Sequence, residues 1–104
     1  MISRARNLRL AVTRSSGFRC AEQNAMIEKA NDIVANDTVG GVAGTRFERE
    51  VGTDAVLIHG VKTDGTAHAT DFKELKWLLS LPEGVTDVVR NLRADNRYEP
   101  RLAA

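Results

Sequence analysis

Residues 55–81 constrain the fold more than any other stretch, because a turn signal and a helix-start signal sit there only a few residues apart. Asp64-Gly65 predicts a two-residue hairpin loop. A type I′ turn needs positive φ at both central positions, and Asp-Gly meets that requirement at little steric cost. With those two residues as the loop, Val61 pairs with His68, His59 with Thr70 and Leu57 with Phe72. Alternation along the strands then gives a core face of Val56, Ile58, Gly60, Ala67 and Ala69. The opposite face is mixed: Leu57, His59, Val61, His68 and Thr70, with both histidines of the chain side by side.

Asp71 and Glu74 have capping-box spacing, with Asp71 in the N-cap role. Phe72, Leu75, Leu78 and Leu79 follow at helical spacing as a buried stripe. Trp77, the only tryptophan, lies beside that stripe and reads as core or as contact surface. Pro82 and Gly84 end or bend the helix.

The rest of the chain is arranged around this unit. Arg46 to Val51 alternates as a strand, so 46–51, 55–62 and 66–71 form an antiparallel meander. Asn7 to Arg14 also alternates, Leu8, Leu10 and Val12 against Arg9, Ala11 and Thr13, and reads as a half-buried strand. A basic helix over 2–12 competes, because Ile2, Ala5, Leu8 and Val12 also make a stripe. Ser15-Ser16-Gly17 is a turn signal, and a helix over 19–36 buries Met26, Ile27, Ala30, Ile33 and Val34. Residues 38–45 form a flexible, glycine-rich connection. Ser80 and Glu83 have the spacing of a second capping box. The final helix they start carries Val85, Val88, Val89 and Leu92 on one face and Arg90, Arg93 and Arg97 on another. The expected fold is α+β: an N-terminal strand, a helix, a three-stranded antiparallel meander and two C-terminal helices packed on one sheet face. It occupies a single domain over 1–104, with a basic arm at 1–6 and a polar tail at 95–104.

A chain of 104 residues buries about 65% of its unfolded surface, enough to fold without staples. No apolar run is long enough to cross a membrane. The one cysteine, Cys20, permits no internal disulfide, which fits a reducing, cytoplasmic setting. The net charge of +1 hides an asymmetry. Residues 1–21 carry Arg4, Arg6, Arg9, Arg14 and Arg19 and no acid, leaving ten bases against fourteen acids in the remainder. An arginine-rich, acid-free start also has the composition of a mitochondrial transit segment, the minor alternative.

Candidate chemistry is sparse. His59 and His68 can share a divalent metal, but catalytic zinc wants a third protein ligand and no carboxylate or thiolate reaches their face. Gly40 to Thr45 leads into Arg46 and a strand, where a phosphate loop needs lysine followed by Ser or Thr at a helix start. Cys20 lies near a helix start beside Arg19 but has no base in sight. Glu48 and Glu50 alternate as charges that protect a sheet edge. No catalytic residue, metal or cofactor is therefore expected, and the chain reads as non-enzymatic.

The arginine clusters point to partners. Arg4, Arg6 and Arg9 form one and Arg90, Arg93 and Arg97 another, and guanidinium forks pair with carboxylate or phosphate. The expected function is docking on a larger protein or nucleoprotein partner as an inhibitor, accessory or assembly subunit, phage-type proteins included. Arg4, Arg6, Arg9, Leu57, His59, Val61, His68, Trp77, Arg90, Arg93 and Arg97 are the expected contact residues. The alternative is a nucleic-acid-binding module using the N-terminal arginines and the final helix. Against it, the five aromatic residues show no stacking pattern.

Overall fold

The computed structural model describes residues 4–99, with side chains from Cys20 onward. The fold is α+β: α1 (Arg4–Asn36), β1 (Arg46–Arg49), β2 (Ala55–His59), β3 (His68–Asp71), α2 (Phe72–Leu79) and α3 (Gly84–Asp95). The strands form one antiparallel sheet in the order β1-β2-β3. Phe47, Val56 and Ile58 bury the inner sheet face against Ala30 and Val34 of α1, Phe72, Leu75 and Leu78 of α2, and Val85 and Val89 of α3. Among the described residues no helix is long and apolar enough to cross a membrane.

The predicted N-terminal strand is absent: residues 7–14 belong to α1, which runs unbroken through Ser15-Ser16-Gly17. Alternation and a helical stripe coexist there, and the helical pattern wins. Arg, Leu and Ala are good helix formers, and extending an existing helix adds one hydrogen bond per residue with no new nucleation cost. Residues 4–6 of the expected arm are likewise helical, whereas 1–3 lie outside the described residues.

α1 also closes one edge of the sheet. Asn31 donates from Nδ2 to the Phe47 carbonyl at 3.0 Å and accepts from the Phe47 N–H at 2.7 Å. An amide side chain thus stands where another strand would pair, which shields β1 from edge-to-edge association.

The hairpin forms in a different register. Ile58 pairs with His68, Leu57 with Ala69, Val56 with Thr70 and Ala55 with Asp71. A turn forms one residue earlier than Asp64-Gly65 predicts: the Gly65 N–H donates to the Lys62 carbonyl at 3.2 Å, so Thr63 and Asp64 are central, and of the Asp-Gly pair Gly65 alone has positive φ, at 82°, which is not a type I′ turn. Asp64 accepts from the Thr66 N–H and hydroxyl, which holds its carboxylate below the usual range. Yet the strands stop at His59 and resume at His68, so residues 60–67 form a wide loop rather than a two-residue one. The offset from the predicted pairing is odd, and an odd slip moves one strand's side chains to the other face. His68 and Thr70 therefore share the face of Val56 and Ile58, while Leu57 and His59 share theirs with Ala69.

The N-cap of α2 is as expected, while the Glu74 carboxylate, the other half of the expected box, accepts from the Thr70 hydroxyl. Asp71 has extended backbone (φ −135°, ψ 171°), and its carboxylate accepts from the Glu74 N–H at 2.7 Å. The second capping box does not form. Ser80 instead caps the end of α2, and Glu83 precedes α3 without a side-chain bond to it.

The glycine-rich connection is held at many points rather than loose. Asp37 accepts from the Val39 and Gly40 N–H groups and from the Thr86 hydroxyl, while Val42 is buried in the core. Its main tie is Arg93, whose guanidinium donates to the carbonyls of Gly41, Ala43 and Gly60 and to Thr45 Oγ1. Tyr98 lies 4.9 Å from the same guanidinium, and its N–H donates to the Arg93 carbonyl at 2.8 Å. Residues 95–98 of the expected loose tail are thus fixed, whereas 100–104 lie outside the described residues.

Candidate protein-docking surface

Among the residues whose side chains are described, the outer sheet face and the outer side of the helical layer are open to partners. On the sheet, Arg46, Glu48, Ala55, Leu57, His59, Ala69 and Asp71 face away from the core, as their register requires. His59 Nε2 donates to Glu48 Oε1 at 2.9 Å, and Arg46 stands 3.6 Å from the other carboxylate oxygen. The His59 hydrogen bond, aided by the attraction of Arg46, holds the Glu48 carboxyl below its ordinary value. This face is half apolar and internally charge-paired.

The expected histidine pair is not formed. His59 and His68 project to opposite faces because of the register shift, so they cannot share a ligand. Val61 is also removed from the contact surface: it is fully buried, in the wide loop beyond β2. Among the described residues no three His, Cys, Asp or Glu side chains cluster closely enough to hold a metal ion. Cys20 is half-buried and accepts a 2.9 Å hydrogen bond from Arg49 Nη2.

The second arginine cluster divides. Arg90 is exposed on α3, and Arg97 is exposed beyond its end with φ at 51°. Arg93, between them, is only 5% exposed and its donors are taken up by the fold. Burial lowers its pKa, with Tyr98 acting in the opposite direction, but a guanidinium stays charged regardless. Arg93 is therefore a structural tie and not a contact residue. Arg4, Arg6 and Arg9 lie on the helical backbone of α1, and their side chains are outside those described.

Trp77 is the residue that the structure brings forward. It is 60% exposed, and Leu81, which the sequence did not single out, is 39% exposed beside it. Both belong to the helical layer, apart from Leu57 and His59 on the sheet, so the expected contact residues do not make one patch. Trp77 and Leu81 line a groove of ≈ 270 Å³ between α2 and α3. Its α2 wall also contains Glu74 and Leu78, and its α3 wall Gly84, Asp87, Val88 and Asn91. Helical spacing explains the composition. Glu74, Trp77, Leu78 and Leu81 fall three or four apart on one side of α2 and its C-terminal extension, so the carboxylate and the apolar side chains share a rim.

A short apolar groove with a water-facing indole is suited to receiving a side chain of another protein. No family model, curated protein or solved structure matches this chain.

Proposed function

We propose that this chain is a non-enzymatic protein-docking module, an accessory, inhibitor or assembly subunit, that binds protein through the α2–α3 groove. The observation that carries this reading is the 60% exposure of Trp77 beside Leu81. A tryptophan offers roughly 150–250 Å² for burial, and tryptophan is among the residues most enriched at interface hot spots. Leu57 and His59, on the outer sheet face, provide a second and more polar area for a larger protein or nucleoprotein partner. The lone cysteine fits work in the cytoplasm.

At α3, protein is favoured over nucleic acid because Arg93 is spent within the fold. Arg90 is left as the exposed arginine of α3, and Arg97 lies past the helix end. Phosphate tracking needs several exposed cations along one surface.

The test is capture of binding proteins from a nuclease-treated cell extract on immobilised wild-type chain and on Trp77→Ala. Retention by the wild type, reduced about 30-fold or more in affinity by Trp77→Ala, is expected for a hot-spot residue. Binding that disappears with nuclease, or that Trp77→Ala leaves unchanged, would refute the reading.

A further inference from the structure

The groove carries one carboxylate on each wall, Glu74 from α2 and Asp87 from α3, with Leu78, Leu81 and Val88 supplying apolar surface. Both acids are exposed. Glu74 accepts from the Thr70 hydroxyl at 2.6 Å, and among the described residues neither acid is paired with a basic side chain. Lys73 and Lys76 face the other side of α2, toward α1. An apolar trough with acid on both rims favours an apolar segment interleaved with arginine or lysine.

The chain itself contains such a segment. Residues 1–21 hold five arginines and no acid, with Leu8, Leu10 and Val12 between them. We propose that the α2–α3 groove receives the arginine-rich N-terminal part of α1 from a second copy of this chain, so that copies associate head to tail. This inference rests on the groove being a protein-docking surface, and it names the occupant.

The contact has to be made between copies. Arg9 lies on the same unbroken helix whose Gln23, Ala30 and Val34 side chains are buried against the rest of the fold. About 21 Å of helix separates Arg9 from Gln23 at 1.5 Å per residue, and an unbroken helix does not double back to its own groove. Segment and groove are different surfaces, so each copy offers one of each and the contact is heterologous. Because Glu74 and Asp87 face water, salt weakens the attraction.

Sedimentation velocity on the full chain, at rising protein concentration and low salt, tests this. The wild type should self-associate, and added salt should reverse it. Glu74→Lys with Asp87→Lys disables the groove, and Arg4→Glu with Arg6→Glu and Arg9→Glu disables the segment. Either variant alone should associate about tenfold or more weakly, since like charges then face each other. Mixing the two should restore association, because one copy contributes an intact segment and the other an intact groove. A wild type that stays monomeric overturns the proposal, as does association that the variants leave unchanged or that mixing fails to restore. The docking role of the groove stands or falls separately, on the Trp77→Ala capture experiment.

Discussion

Arg93 on α3 and Gly60 just past β2 are joined by a 3.0 Å hydrogen bond from the guanidinium Nε to the carbonyl oxygen. With its bonds to Gly41, Ala43 and Thr45, four of the five guanidinium donors are satisfied without any carboxylate. One side chain thereby ties together the last helix, the 37–45 connection and the hairpin. Arg93→Lys keeps the charge but loses the planar fork, leaving part-buried carbonyls and the buried Thr45 hydroxyl short of donors. It should cost about 2–5 kcal/mol in urea unfolding. Arg90→Lys, on the exposed side, should stay within about 0.5 kcal/mol of wild type. Equal effects would remove Arg93 from its structural role.

Gly60 and Gly65 both have positive φ, at 85° and 82°, but their surroundings differ. A Cβ at Gly65 meets open space, whereas one at Gly60 would run into the Gly44 carbonyl. Asparagine tolerates the left-handed region, so Gly65→Asn should cost less than about 1 kcal/mol. Gly60→Asn adds overlap with backbone and should cost about 2 kcal/mol or more. Thermal melts of the two variants check this, and a Gly60→Asn as stable as Gly65→Asn would count against the close approach.

Glu48 gives a pH prediction whose sign follows from its partner. Its folded pKa is lowered, chiefly by the hydrogen bond from His59, so the interaction is present in full above the ordinary glutamate range. It is lost as pH falls through the lowered folded value. A carboxyl-carbon NMR titration should place the Glu48 midpoint below its ordinary 4.5 in the wild type, and move it upward in His59→Ala. A midpoint indifferent to the substitution would mean that the pair does not persist in solution.

The elements most legible in the sequence were those set by neighbours along the chain. Asp71 and Glu74 are three residues apart, and the cap they make needs nothing distant. The turn at Asp64-Gly65 was legible to within one residue but not in type or register, because pairing depends on which residues the helices bury across the sheet. That slip separated His59 from His68. In α1, alternation and helical periodicity coexist over residues 7–14, and only continuity with the helix that follows decides between them. Arg93 was legible in principle: it lies four residues after Val89 and eight after Val85, on their buried face. Reading it with Arg90 and Arg97 grouped it by charge and not by helical position. Trp77 beside the Leu75 and Leu78 stripe left core and surface equally open, and the groove depends on how α3 packs back onto α2.

Because Trp77 is the only tryptophan, it can report directly on whether the groove is a docking surface. The chain labelled with 5-fluorotryptophan gives one fluorine resonance, recorded free and in complex with the protein that it captures. The free resonance should show the solvent-isotope shift of a water-exposed indole, and the complex should lose that shift as the ring is buried. A resonance that keeps its water exposure in the complex would contradict docking through Trp77.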